Sequence, residues 1–244
     1  MDLPTRRTTM SVPPRSIDWR IVLASIVTIG VALLFWGSPF LLPLKLFVVL
    51  LHEMSHALAA WLTGGAVERL IVTADEGGLA FTRGGNRFLI SSAGYLGSLI
   101  WGVVLMQLSL ARPARRRVAL RMLALLLALA VILSVRDPFT LAMVGATVAA
   151  ALLLARYGPP RWQQIVLWLI GSFSALYAII DIGTDILSRG PLAGVPFFGT
   201  VTFQNDAEIL AAETFVPAFV WGLLWITLAL AVYLWNLRQL ATRR

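Results

Sequence analysis

The chain has 244 residues, of which 59% are hydrophobic and 13% are charged, and its mean hydropathy is +0.83. An average soluble domain is about 45–50% apolar and about 25% charged, so the composition excludes a soluble protein. The chain has no cysteine, which excludes disulfides, thiolate metal sites and a cysteine nucleophile. The formal charge of +8 comes from arginines bunched between apolar stretches, a pattern typical of membrane loops, so we expect no nucleic-acid partner.

Several apolar runs reach the ~18 to 20 residues that cross the hydrocarbon core of a bilayer, and they lack the alternation of barrel strands. The sequence therefore predicts an all-α polytopic protein of the plasma (inner) membrane, with about seven transmembrane helices. We expect residues 1–20 to form a polar basic segment, residues 21–237 a single transmembrane domain and residues 238–244 a basic tail. The predicted spans are 21–36, 39–63, 88–111, 118–135, 138–155, 162–187 and 215–237.

Two connections between the predicted spans are long and polar. Residues 64–87 carry three glycine pairs around β-prone stretches, which predicts a β-hairpin that turns at residues 75–78. Residues 188–214 carry no strong secondary-structure signal. If seven spans alternate in direction, nine arginines lie on the hairpin's membrane face and ten on the opposite face. The positive-inside rule then leaves the membrane orientation open.

The second predicted span carries the stretch His52-Glu53-Met54-Ser55-His56, which contains the only two histidines of the chain. Imidazoles at i and i+4 share one helix face and can bind one zinc ion, while the glutamate after the first histidine acts on a water molecule. Ionisable residues at membrane depth cost roughly 2.5 to 3.5 kcal/mol each on insertion scales, which favours a functional role. The alternative is a metal-free polar cluster that packs helices together.

Two histidines leave a catalytic zinc ion one protein ligand short, so we expect a carboxylate as the third ligand. Asp181 and Asp185 lie at i and i+4 in the sixth predicted span. If spans two and six run in the same direction, His56 and Asp181 lie at equal depth, each eight residues before its span's polar end. Asp185 would lie about 6 Å shallower. We therefore predict Asp181 as the ligand and Asp185 as its alternative or as a residue that orients a ligand. Both aspartates could instead only cap the end of span six.

Four parts of the sequence together carry a family resemblance: residues 52–57 with 63–65, 92–98, 177–187 and 205–208. Through them the sequence resembles the site-2 protease group of intramembrane zinc metallopeptidases, in particular its short B-type branch without a PDZ domain. The resemblance implies that residues 21–237 form a metallopeptidase domain that hydrolyses peptide bonds of membrane-embedded or membrane-proximal proteins. It also implies zinc ligands at His52, His56 and Asp181 and a catalytic base at Glu53. Unlike better-known members, the chain has no Asn-Pro followed by Leu-Asp-Gly around the third ligand.

Other functions stay open at this point. The chain could be an inactive membrane scaffold or chaperone of the same fold, although a purely structural metal site has no use for Glu53. It could also be a cation transporter in which buried histidines and aspartates form the pathway. The hairpin edge could hold an extended peptide by strand addition, or the hairpin could be only a surface flap. The sequence leaves the oligomeric state undetermined.

The stretch from Ser91 to Ser98 also permits two interpretations. Ser91, Ser92 and Ser98 are candidate donors for a developing oxyanion. Small residues such as Gly94, Gly97 and Ser98 more commonly allow close helix contact, which is the interpretation that we favour.

Overall fold

A computed structural model describes residues 17–189 and 205–242, with the exception of the side chains of 184–189. Six helical stretches of this described part are long and apolar enough to cross a membrane, and the first helix is shorter, at 17 residues. The chain is therefore an integral multi-pass membrane protein whose described part is helical apart from one hairpin and the connections, which confirms the predicted fold class. The elements are α1 (Trp19–Phe35), α2 (Leu42–Leu62), β1 (Ala66–Val72), β2 (Gly78–Arg83), α3 (Arg87–Ser109), α4 (Pro113–Ser134), α5 (Pro138–Tyr157), α6 (Pro160–Arg189), α7 (Asp206–Thr214) and α8 (Ala218–Ala241).

Helix α2 lies at the centre of the bundle. Of the 18 most apolar residues of this span 78% are buried, against 22% in the corresponding parts of α5 and α8, which are therefore the least buried of the six spans. Helices α3 and α6 pack closely at Gly102 and Gly171, where a Cβ on Gly102 would lie 2.7 Å from the backbone nitrogen of Ala175. Small residues at this crossing bring α3 and α6 together beside α2.

The hairpin runs back along α2 rather than away from it. Two residues after the end of α2, Gly64 has a φ of +80°, which lets the chain reverse so that the backbone N–H of Gly65 donates to the Ala60 carbonyl at 2.8 Å. Strand β2 lies beside the middle of α2, and the turn residue Glu76 forms an ion pair with Lys45 near the start of α2. The hairpin and its turn confirm the prediction. Because the hairpin lies beside α2, it lies at membrane depth.

The connection between α4 and α5, together with the first turn of α5, covers the outer edge of β1. The hydroxyl of Thr140 accepts a hydrogen bond from the Val72 N–H at 2.9 Å and contacts the Val72 carbonyl at 3.1 Å. Leu70 pairs with Val135 in a single parallel bridge, and both Leu70 and Val72 are buried. One edge of the hairpin is thus closed by protein, while the β2 edge is left facing the centre of the bundle.

The connection after α6 contains structure that the sequence analysis did not predict. Its residues 190–204 lie outside the described part of the chain, but residues 206–214 form helix α7. A capping box begins this helix: the Asn205 side chain accepts from the Glu208 N–H at 2.9 Å, and the Glu208 carboxylate accepts from the Asn205 N–H at 3.3 Å. These two bonds satisfy backbone groups at the helix start and fix where α7 begins.

The ion pair at the tip of the hairpin predicts a stability effect. Lys45 is 4% exposed, pairs with Glu76 and also donates to the Trp36 carbonyl at 2.8 Å. Glu76→Gln should lower the free energy of unfolding by about 1–3 kcal/mol, because it leaves a buried ammonium without its counter-charge. Glu68→Gln is the matched control, since its pair with Arg83 is exposed and such pairs contribute about 0–1 kcal/mol. Thermal unfolding in detergent measures both, and equal losses would contradict this prediction.

Candidate metal centre

Both histidines of α2 have their Nδ1 atoms engaged by α3. His56 Nδ1 lies 2.6 Å from the Ile90 carbonyl oxygen, and His52 Nδ1 lies 3.4 Å from the Ser98 hydroxyl. A carbonyl only accepts, so the Nδ1 atom of His56 carries the proton and its Nε2 atom keeps a free lone pair. The α3 contacts therefore leave the Nε2 atoms of the two rings facing the same space.

Two tyrosines fix the ring of His52 from the sides. The Tyr95 ring meets it edge-on at 5.0 Å between centroids, and the Tyr177 ring does so at 6.0 Å. Tyr95 belongs to α3 and Tyr177 to α6, so both neighbours of α2 limit rotation of this imidazole. Such contacts around a ligand set its orientation and its affinity for a metal.

The third group at this position is Asp206, in the first turn of α7. Its Oδ2 atom lies 3.3 Å from the Nε2 atoms of both His52 and His56. Among the described residues, these three form a group whose possible ligand atoms all lie within 4.8 Å of one another. We call His52, His56 and Asp206 the histidine–aspartate cluster.

The structure thus brings Asp206 to the histidines where the sequence analysis expected Asp181. Asp181 lines the same cavity but does not belong to the histidine–aspartate cluster. The side chain of Asp185 lies outside the described part of the chain. Asp206 lies outside the predicted spans, in a connection that folds back toward the centre of the bundle, so a comparison of depths within spans could not include it.

Packing of α7 holds Asp206 in place. Ala207 and Leu210 are buried in a small cluster with Tyr95 of α3 and Trp225 of α8. Farther along α7, Glu213 forms an ion pair with Arg87 at the start of α3. The sequence signal for this helix was the spacing of Asn205 and Glu208, which fits a capping box inside the polar loop.

The charge environment favours an ionised Asp206. Burial opposes ionisation, but the imidazoles of His56 and His52 outweigh it when they carry a second proton, and they then hold the pKa of the Asp206 carboxyl below its usual range. The position of Asp206 in the first turn of α7 adds to this, because the N-terminal end of a helix stabilises negative charge.

Three observations test whether a metal ion fits this cluster. The Oδ2 atom of Asp206 is buried and accepts no hydrogen bond. The α-carbon of Gly94 faces the imidazoles, and a Cβ there would lie 2.6 Å from Cε1 of His52 and closer still to Nε2 of both rings. Two imidazole nitrogens and one carboxylate are a ligand set used by catalytic zinc sites. The cluster therefore fits a zinc ion.

Glu53 lies beside the cluster in a cavity of about 440 Å³. This cavity is lined by the histidine–aspartate cluster, by the backbone of β2 and by Tyr95 and Tyr177. Glu53 is 6% exposed and interacts with the backbone amide of Ala80, and a Cβ on Gly78 would lie 2.7 Å from its Cγ atom. Strand β2 thus packs directly on the glutamate of the motif.

The close approach of Gly94 predicts a loss of metal affinity on substitution. Gly94→Ala should weaken zinc binding by about 10- to 100-fold, the usual effect of disturbing the surroundings of a metal ligand, because the added methyl group displaces both rings. The control is Gly145→Ala in α5, where a Cβ meets open space. Competition with a fluorescent zinc chelator measures the affinities, and an unchanged affinity of the Gly94 variant would refute the argument.

Comparison with known proteins agrees with the resemblance stated from the motifs. The family described as Peptidase M50B-like matches residues 24–236, which include the histidine–aspartate cluster, the hairpin, five of the six membrane spans and all but the last five residues of the sixth. The chain has no significant match among curated proteins or solved structures. A match over this much of the chain shows its family: the protein belongs to the Peptidase M50B-like family of membrane metallopeptidases.

Proposed function

We propose that the chain is a zinc metalloendopeptidase that hydrolyses peptide bonds of membrane-embedded or membrane-proximal protein substrates. The observation that carries the proposal is the convergence of His52, His56 and Asp206 beside Glu53 in one cavity within the bundle. A peptidase needs a metal site and a base that open on the same space, and this cavity offers both sets of residues.

In this proposal His52, His56 and Asp206 hold the zinc ion. When bound, zinc acts as a Lewis acid that lowers the pKa of water and polarises a substrate carbonyl. The protein keeps the two rings in place through Ile90, Ser98 and the flanking tyrosines, so that their Nε2 atoms stay available. Asp206 contributes a negative charge that partly offsets that of the cation.

Glu53 is the proposed general base. It follows His52 on α2, so its carboxylate lies next to the cluster, and it is buried at the wall of the cavity. A buried carboxylate with a nearby cation can take a proton from water and later donate it to the leaving amine. The contact with the Ala80 amide holds the carboxylate toward the cavity.

The substrate is proposed to bind as an extended strand beside β2. The outer edge of β1 is already covered by the α4–α5 connection, whereas β2 lines the cavity. An extended peptide can add to a free strand edge through its backbone hydrogen bonds. A helical peptide hides its carbonyls in its own hydrogen bonds, so this edge would favour the unwound form that hydrolysis requires.

The other two functions raised by the sequence receive less support. A scaffold that uses metal only for stability has no need of a carboxylate such as Glu53 in a cavity of about 440 Å³ beside the cluster. A cation transporter needs polar groups along a path through the membrane, and the described buried acids and histidines gather at one depth instead.

The ligand assignment predicts the metal content of two aspartate variants. Wild-type protein should bind about one zinc ion per chain, and Asp206→Ala should lose it because only two protein ligands are left. Asp181→Ala is the matched control and should keep its zinc, since Asp181 lies outside the histidine–aspartate cluster. Elemental analysis of purified protein gives the ratio, and thermal unfolding checks that each variant is folded. Loss of zinc from Asp181→Ala alone would restore the ligand that the sequence analysis chose.

The role of Glu53 predicts a separation of binding from catalysis. Glu53→Gln should keep its zinc but lower the cleavage rate of transmembrane peptides by about 10²- to 10⁴-fold, because an amide cannot accept the proton. Glu68→Gln, the same change on an exposed part of the hairpin, should cleave at the wild-type rate. A Glu53→Gln variant with full activity would exclude Glu53 as the base. Zinc-loaded wild type that cleaves no peptide of a broad panel would favour the scaffold.

A further inference from the structure

A groove between α3 and α4 lies apart from the cavity of the metal centre and shares none of its lining residues. Its volume is about 450 Å³. Trp101, Val104 and Leu108 line it from one face of α3, and Val118 and Met122 line it from α4. The side chains of Val104, Val118 and Met122 are exposed on the outside of the bundle. Because the chain spans a membrane, this groove is open to lipid.

One end of the groove carries a positive charge. Among the described residues that line the groove, Arg115 alone is charged, and the others are apolar. Arg115 lies in the first turn of α4, directly after the connection 110–112 from α3. From there the groove extends along α4 to Leu126, a length of about 17 Å. One leaflet contributes about 15 Å to the hydrocarbon core of a bilayer. The groove therefore has the length of one leaflet, with the charge at the end where headgroups lie.

Arg115 belongs to a basic segment that lacks counter-charges. Residues 112–121 contain five arginines, and the sequence has no aspartate or glutamate between Glu76 and Asp137. Asp137 comes three residues after the opposite end of α4. None of the ion pairs within the described part of the chain involves one of these five arginines. The positive charge of this segment is therefore not neutralised by the described protein.

The neighbouring Arg116 shows by contrast what is special about Arg115. The Nε atom of Arg116 donates to the Ala111 carbonyl at 2.8 Å, and its Nη1 atom donates to the Pro160 carbonyl at 2.7 Å. Arg116 thus stabilises the connections of the bundle. The side chain of Arg115 is exposed and makes no hydrogen bond to the described residues. Its guanidinium keeps all five N–H donors, in the planar arrangement that binds phosphate oxygens in pairs.

We propose that the groove binds one anionic phospholipid, whose phosphate contacts Arg115 and one of whose acyl chains lies along α3 and α4. Charge complementarity favours an anionic lipid, because a zwitterionic headgroup would bring its own cation to a segment that already holds five unpaired arginines. Basic clusters beside transmembrane helices are typical of sites for anionic lipids. This proposal does not depend on the proposed peptidase activity.

The tryptophan in the groove provides the measurement, because bromine atoms on an acyl chain quench the fluorescence of a tryptophan that they contact. The full chain is reconstituted in phosphatidylcholine vesicles with increasing fractions of brominated phosphatidylglycerol or brominated phosphatidylcholine. The difference between wild type and Trp101→Phe isolates the signal of Trp101. Half-maximal quenching of this signal should need about a fivefold lower fraction of the brominated phosphatidylglycerol, the preference expected from one arginine beside an anionic lipid.

Two arginine variants test the headgroup contact. Arg115→Gln should abolish the preference for brominated phosphatidylglycerol. Arg117→Gln is the matched control and should retain the preference, because Arg117 is an exposed arginine of the same helix that does not line the groove. An equal loss in both variants would show a general attraction to the basic segment and would overturn the proposed site.

A pair of variants on α4 tests the position of the acyl chain. Val118→Phe fills the groove and should abolish the preference although every arginine is retained. Leu125→Phe, at an exposed position of α4 outside the groove, should leave it unchanged. Thermal unfolding checks that each variant is folded. Equal quenching of wild type by the two brominated lipids, or an unchanged preference in Val118→Phe, would overturn the proposal. Absence of Trp101 quenching by either lipid would also overturn it, and would indicate that a protein segment covers the groove.

Discussion

The constraint on which the structure depends is the burial of two imidazoles and two carboxylates inside a membrane bundle. Each of these groups is costly at membrane depth unless it is paired or hydrogen-bonded. Several elements around α2 contact or contribute these groups. Helix α3 engages the Nδ1 atoms of both rings, α6 packs Tyr177 against His52, α7 brings the carboxylate of Asp206 and β2 covers Glu53. Each of these elements therefore contacts or contributes one of the buried polar groups.

The hairpin meets a second membrane constraint, because backbone N–H and C=O groups cannot face lipid unpaired. Extended backbone at membrane depth is tolerated only where it is buried in protein or lines a water-containing cavity. One edge of this hairpin is buried in protein, because Val135 and Thr140 cover β1. The other edge lines the cavity, because β2 borders it. The ion pair between Lys45 and Glu76 holds the tip of the hairpin beside the start of α2.

The spacing of residues in the sequence predicted those features of the structure that depend on neighbouring residues alone. The i, i+4 spacing of His52 and His56 is enough to place both rings on one face of a helix, and the glycine pairs are enough to predict a hairpin and its turn. Asp206 could not be found in this way, because its place depends on α7 docking against Tyr95 and Trp225, which are distant in the sequence.

The proposed position of the third ligand on a short helix has a thermodynamic consequence for zinc binding. The two histidines are fixed within α2, but Asp206 reaches them only when α7 is docked on α3 and α8. An ion that needs all three ligands binds the docked arrangement alone, and it stabilises that arrangement by about 2.7 kcal/mol at a concentration 100-fold above its Kd. By reciprocity, each contact that holds α7 in place, such as the pair of Arg87 with Glu213, also raises the affinity for the ion. The packing of α7 and the occupancy of the metal site are therefore one coupled equilibrium.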